Sequence, residues 1–430
     1  MPRRDLPPIE RGRSYARWAL SQGINRAVLS LASRRGDPLA ELMWSHEVPD
    51  YDRLRARGPI HVKPFMAGTV SYAAANEILR SSDFGVGDGQ GELPVPLRWL
   101  LGKVSAPDAL GLVDPPSMLA VDPPLHTRYR KHVSKAFTAR RISSMAEMVT
   151  AVAGDLLDEI DPREGRVDLI EEYAAKLPIA VIAELLGVPA ADRADILRWG
   201  DQAAAILDPG LSWRDYSHVE TAMRSLHHWF ENHVRRLRAD PADDLLSALV
   251  IAGDLDDIEL HALGLLLLAA GFETTVNLLG NAVAALDAHP AQRSLLLADP
   301  SLVEGVVEET LRWDPPVMAT VRQAYTDTRV AGTDVAKGTA VAVVIGGANR
   351  DPSVFEDPDT YDITRADADQ HLSFSAGAHF CLGASLARLE ARVGLRMLFE
   401  RFPTLRVDGE ATRRPTRILR GYASLPVALG

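Results

Sequence analysis

One cysteine occurs in 430 residues, Cys381, within Phe374-Ser375-Ala376-Gly377-Ala378-His379-Phe380-Cys381-Leu382-Gly383. A lone cysteine excludes an intramolecular disulfide framework and a multi-cysteine zinc site, and it suits a reducing cytoplasm. Directly after it, apolar residues recur at Leu386, Leu389, Val393, Met397 and Leu398, the spacing of a helix running to about Arg401. Cys381 therefore stands at a helix N-terminus, where free N–H groups and the positive dipole end favour a thiolate. Gly377 and Gly383 leave room for something flat and large to approach the backbone. Taken alone, the cysteine still reads first as a buried apolar side chain beside a helix.

A second set of residues is out of place for its surroundings. Ala270-Gly271-Phe272-Glu273-Thr274-Thr275 lies within a helix that is apolar nearly all round, hence buried. A buried carboxylate costs several kcal/mol, as an order of magnitude, unless it is paired or protonated. Thr274 can bond the carbonyl of Ala270 and loosen the helix locally, opening a groove; threonines alone could equally be satisfied hydroxyls in a helix interior. His126 and Arg130, four apart after Pro123-Pro124, share one helical face. That face is either a solvated basic surface or a pair of donors for an anionic group. Glu309 and Arg312, three apart, would by themselves be an everyday surface ion pair.

Together these runs resemble the cytochrome P-450 family. Phe-x-x-Gly-x-His-x-Cys-Leu-Gly-x-x-Leu-Ala-Arg, ending at Arg388, is similar to its haem-binding loop, with Ser375 where a glycine is usual. The resemblance implies that Cys381 is the proximal ligand of haem iron and that Phe374, Gly377, His379 and Gly383, with Ala270 and Gly271 of the central helix, bind the haem. A thiolate there donates electron density that promotes O–O cleavage. Ala270 to Thr275 resembles the oxygen-binding groove, where Glu273 and Thr274 would pass protons toward the site of dioxygen reduction. His126, Arg130, Arg322 and His379 match donors to the haem propionates. Glu309-Thr-Leu-Arg312, with Arg365 as third member, resembles the element that holds the core behind the cysteine loop. Val317, Met318 and Ala319 would face the substrate.

These residues need elements to position them. Helical patterns follow near 140–160, 170–187, 191–207, 213–238, 256–287, 289–298 and 301–313, and Ala73 to Arg80 reads as another. Beyond Pro316 the period changes, with short strands at Val321-Arg-Gln-Ala, Thr328-Arg-Val, Gly332-Thr-Asp-Val and Thr339 to Ile345. Hairpins are expected at Pro59 to Ser71 and from Arg420 to the end. Phe84 to Pro124 is Gly- and Pro-rich without a sustained period, and by resemblance covers the substrate pocket. His218, His227, His228 and His233 fall on one helix without metal-ligand spacing, which suggests a solvated face. The first stretch is amphipathic, with Trp18, Leu20, Ile24, Val28 and Leu31; a short packed helix or a partly disordered arm is expected, a membrane-surface anchor being the alternative.

The expected fold is mainly α with small β-sheets, an α+β chain of the cytochrome P-450 type with a long central helix over haem. Residues 1–50 would be an N-terminal extension and 51–430 a single domain. The net charge of −11 argues against nucleic acid as the main partner. The longest apolar run, Ala262 to Phe272, is too short to span a bilayer, and no signal peptide is visible. The resemblance implies a cytoplasmic monomer that carries haem b (iron protoporphyrin IX). It would insert one oxygen atom from O2 into a small apolar substrate, by hydroxylation or epoxidation. Electrons would come from a ferredoxin and ferredoxin reductase, docking near Arg128, Lys131 and the cysteine loop. The rivals are a peroxide-driven peroxygenase, a non-catalytic haem sensor or carrier, and a helical binding protein without haem.

Overall fold

A computed structural model describes residues 8–44, 50–63, 66–87, 111–161, 163 and 165–429, with the side chains of Pro8 and Ile9 excepted. The organising element is the helix Asp257–Ala288. Asp256 caps it: its side chain accepts from Glu259 N, and the Glu259 side chain accepts from Asp256 N. This reciprocal box satisfies two N–H groups that a helix start leaves orphaned. Leucines and alanines on every side then bury it, so helices Lys176–Leu185, Arg193–Ala204, Trp213–Ala239, Val303–Trp313 and Ala384–Arg401 can pack around it. It is long and apolar enough to cross a membrane, but 78% of its most apolar window is buried inside the protein.

The strands form small sheets to one side. The largest has the order Ala67–Thr69, Ala340–Val343, Thr320–Ala324, Phe84–Gly85. Its first pair is parallel, the rest antiparallel, with Arg322 opposite Val341. The expected hairpin at 59–71 reduces to one bridge, His61 to Gly68, because Ala67–Thr69 pairs instead with Ala340–Val343. The terminal hairpin is also replaced by long-range pairing. Tyr422–Ser424 joins Thr412–Arg413, whereas Pro426–Ala428 joins Arg166–Asp168 and Arg406–Val407.

The expected helix near 140–160 is two, Ala139–Ser144 and Ala146–Glu159, and Leu245–Ala252 is a helix that no sequence pattern had indicated. Helix Trp213–Ala239 is not merely solvated. It buries His227 and His233, and His233 stacks on Trp229 at 4.7 Å. Among the described residues no cluster of His, Cys, Asp or Glu could hold a metal ion, so these histidines serve packing. Residues 88–110, within the expected pocket cover, lie outside the described residues.

Residues 8–44 are helical. Pro8–Trp18, a π-helical turn Ala19–Gly23 and Ile24–Arg34 follow each other without leaving helical dihedrals. Leu29, Leu39, Ala40 and Met43 share one apolar cluster with Tyr51, Val70, Met318, Ala319 and Ala342. The stretch expected as an extension is thereby part of the core.

Candidate active site

The cysteine loop is held from behind by polar groups that each have a stated partner. Asn349 donates to the Leu311 carbonyl and to Ser373 Oγ, and accepts from Leu372 N at 2.7 Å. Arg388 lies over the Phe374 ring at 4.5 Å and forms a two-pronged pair with Glu308 at 2.7 and 2.8 Å. Cys381 N donates to the Phe374 carbonyl at 2.9 Å, closing the loop. The helix begins three residues after Cys381: Gly383 is the N-cap of Ala384–Arg401, and its N–H is directed at the Cys381 sulfur.

Gly377 has a reason different from the one expected. Its φ is +66°, and an added Cβ would lie 2.3 Å from the Leu79 carbonyl oxygen. Glycine is thus required by the close approach of helix Tyr72–Arg80, not by a flat ligand. Ser375 also has a positive φ, +60°, and its buried hydroxyl has no partner among the described residues. The left-handed region costs a non-glycine residue about 1–2 kcal/mol, and an unsatisfied buried hydroxyl costs a similar amount. Glycine's extra unfolded-state freedom offsets only about 0.4–1 kcal/mol of this. Ser375→Gly is therefore expected to stabilise the fold by about 1 kcal/mol. An unchanged or lowered unfolding midpoint in denaturant would contradict the strain argument.

Cys381 keeps solvent-accessible surface although protein packs around it. Burial pushes its thiol pKa up. The Gly383 N–H, Arg130 and Arg388 work the other way but do not prevail. The helix start favours the thiolate through the Gly383 N–H, as expected, but burial outweighs it. A cation bound to the sulfur would reverse that balance.

Beside it is a cluster with too little negative charge. His126 is 3% exposed and its ring lies 4.3 Å from that of His379. Burial, His379 and Arg130 push His126 down to about 4, and burial likewise lowers His379, so both imidazoles are neutral near pH 7. The positive charge comes from Arg130 and Arg322. Arg322 is buried, and it donates only to Thr320 Oγ1 and the Val321 carbonyl, both at 2.9 Å. Neither arginine has a carboxylate within ion-pair distance among the described residues. Asp122, the nearest counter-charge, is occupied: it accepts from Val86 N and Tyr325 Oη and contacts His379 Nε2 at 3.2 Å. One buried and one half-buried guanidinium beside two neutral imidazoles leave a place for an anion.

On the central helix, every residue from Leu263 to Val283 is buried except Ala270, Gly271 and Thr274. Ala270 and Thr274, one turn apart, therefore open on a space. Gly271 does not belong with them. A Cβ there would lie 2.7 Å from Ile182 Cγ1, so its small size serves helix packing. Thr274 Oγ1 reaches the Ala270 carbonyl at 3.4 Å, and the helix remains α-helical throughout rather than loosening. Glu273, 3% exposed, points to Arg414 at 3.1 Å, and Arg414 also binds Asp201. Burial pushes the Glu273 pKa up to about 7; Arg414 opposes this and Asp201 adds to it. Arg414 and Asp201 had no sequence signal, since they lie on the C-terminal segment and on helix Arg193–Ala204.

Glu309 and Arg312 are no surface pair: both are fully buried, joined at 2.7 Å through two contacts, with Arg365 Nε 3.4 Å from Glu309. Of the three residues expected to face the substrate, Met318 and Ala319 sit in the apolar cluster with Tyr51 and Val70, and only Val317 is half-exposed. Arg128 is not free for a partner, because it is held by Glu259 at 2.6 and 3.0 Å.

The arrangement fits an anionic, metal-containing group: an accessible sulfur, two arginines with no carboxylate within ion-pair distance among the described residues, and an accessible patch on a buried helix. Comparison with known proteins decides what it is. Cytochrome P450 140 of Mycobacterium tuberculosis is 44% identical over 425 residues, covering 96% of this chain and 97% of that protein. The chain belongs to the cytochrome P450 family. A family model described as Cytochrome P450 matches residues 295–420, which include the buried Glu309–Arg312 pair and the cysteine loop. The vitamin D(3) 25-hydroxylase of Pseudonocardia autotrophica is 37% identical, with 94% of this chain and 99% of that protein covered. The structure of ligand-free CYP164A2 from Mycobacterium smegmatis superposes with a TM-score of 0.81 at 36% identity, covering 91% and 99% of the two chains. As a cytochrome P450, the protein is a monooxygenase with a haem cofactor, a redox partner and a hydrophobic substrate.

Proposed function

We propose that this P450 inserts one oxygen atom from O2 into an apolar small molecule, by hydroxylation or epoxidation, using b-type haem. The reading rests above all on the single cysteine, at a helix start and beside two arginines that have no carboxylate within ion-pair distance among the described residues. When bound, the haem supplies a redox-active iron that activates dioxygen. Cys381 would hold the iron, Phe374 and Gly383 would shape the sulfur's surroundings, and Ala270 would border the haem from the central helix. Arg130 and Arg322 would neutralise the propionates, with His126 and His379 offering neutral N–H donors. Val317 is retained as a substrate wall. Reducing equivalents come from a ferredoxin and its reductase. Lys131 remains a candidate contact, whereas Arg128 does not. The reading places the enzyme in the cytoplasm.

Glu273 and Thr274 supply protons. A carboxyl with a pKa of about 7 both binds and releases protons near neutrality, the condition for efficient general acid work. Arg414 does not itself carry protons. It holds the Glu273 carboxylate toward Asp201, whose side chain is 45% exposed, and so toward solvent. Thr274 presents its hydroxyl to the open side of the same helix. A side-chain swing of Glu273 from Arg414 toward Thr274 would complete the transfer. This relay favours O2-dependent turnover over the peroxide-driven alternative, which does not require it.

The test uses two variants. Thr274→Ala should keep haem and substrate binding while product per NAD(P)H falls and peroxide rises. Glu273→Gln should slow product formation by about a hundredfold. The parent's rate should fall as pH rises through about 7, where Glu273 loses the proton it donates, and the variant should lack that fall. Parent-like coupling in the first variant, or an unchanged pH profile in the second, would remove the relay. Efficient turnover with hydrogen peroxide, but none with ferredoxin and O2, would favour the peroxygenase.

A further inference from the structure

The chain carries a net charge of −11, but its first 36 residues hold eight arginines against Asp5 and Glu10, a local +6. The described part of this stretch is the helical rod Pro8–Arg34, about 40 Å long at 1.5 Å per residue. One side of the rod is bound to the body. Ser14 and Arg17 contact buried Glu220, Trp18 Nε1 donates to the Leu211 carbonyl, and Gln22 Oε1 accepts from Gly210 N. Leu29 enters the apolar cluster.

The other side is left uncovered. Ile24, Val28 and Leu31 recur at i, i+4 and i+7 and are 45%, 36% and 51% exposed. Arg35 continues the same stripe and Arg34 flanks it, both exposed. Arg11 and Arg13 are exposed near the other end of the rod. Beside the stripe lies a groove of about 480 Å³ lined by Trp18 and Trp44, by Arg26 and Arg34, and by Ser30 and Ser33. Arg26 lies over the Trp44 ring at 5.3 Å. Indoles beside guanidiniums and hydroxyls suit a phosphate headgroup next to its glycerol and upper acyl chain.

We infer that this face docks on an anionic phospholipid surface. Ile24, Val28 and Leu31 enter the headgroup–acyl boundary, Arg34 and Arg35 meet lipid phosphates, and the groove takes one headgroup. Charge complementarity selects the occupant. A first stretch of 36 residues at +6, of which the rod Pro8–Arg34 carries +4, on a chain otherwise at −17 is attracted to anionic lipid while the body is repelled, which orients the molecule rod-first. A second copy of the chain is disfavoured, because two such faces would bring like charges together.

The experiment is co-sedimentation of the haem-loaded full chain with vesicles of pure phosphatidylcholine or of phosphatidylcholine with phosphatidylglycerol. Binding is expected only to the anionic vesicles, weakening as salt shortens the screening length. Leu31→Asp, and separately Arg34→Glu with Arg35→Glu, should each lower apparent affinity about tenfold or more. Because these side chains are exposed, unfolding midpoint and haem spectrum should match the parent. Equal binding to both vesicle types, no binding, or parent-like binding by both variants overturns the inference. So does charge reversal that slows reduction by an acidic ferredoxin while vesicle binding is absent, since the face would then serve a protein.

Discussion

Replacing Cys381 by serine is expected to abolish the strongly red-shifted Soret band of the reduced, CO-bound protein while leaving the chain largely helical. The effect should be complete rather than graded, because no second cysteine exists to substitute. The loop does not depend on the sulfur for its shape. It closes through Cys381 N on the Phe374 carbonyl, and Asn349, Glu308 and Arg388 brace it from outside. Far-ultraviolet circular dichroism and the CO difference spectrum therefore separate ligation from folding. A parent-like red-shifted band in the variant would show that the iron is held elsewhere, and a colourless parent after haem supplementation would remove the haem reading altogether.

The second large effect is on stability. Glu309→Ala is expected to destabilise the fold by about 3–5 kcal/mol, the usual cost of leaving a buried charge without its partner. The geometry puts this site at the severe end. Arg312 is 0% exposed, and its N–H groups are directed to Glu309 and to the carbonyls of Asn349, Pro358 and Thr360. Removing Glu309 strands that guanidinium and weakens Arg365, and it also takes the acceptor from Asp362 N. Because Glu308 next door braces Arg388 beneath Phe374, haem retention should fall along with the denaturant midpoint. A loss under about 1 kcal/mol would place the pair in the weak class of surface ion pairs. A Glu309→Met/Arg312→Met double variant should cost less than Glu309→Ala plus the separate arginine loss, since no unpaired charge remains.

Local pattern made much of this legible. The run around Cys381 was legible because cysteine, N-cap glycine and the helix that follows are contiguous, so spacing alone puts the sulfur at a helix start. The central helix was legible from its all-round apolar face, and so was the oddity of Glu273 within it. Strand Thr320–Ala324 was legible from β-branched residues and the change of period.

What failed to read was whatever depended on a distant partner. Met318 and Ala319 look like pocket walls beside a strand, yet the N-terminal helices cover them with Leu39 and Met43. Gly377 looks like a clearance for a ligand; the group it clears is the Leu79 carbonyl. Nothing near Glu273 in the chain announces Arg414 or Asp201, because charged residues 141 and 72 positions away have no local period to betray them. Sequence by itself determined which residues could ligate, relay and brace. Tertiary structure alone decided which charges are neutralised, which are left waiting for an anion and which helix face stays bare, because burial and Coulomb energy depend on neighbours in space, not in the chain.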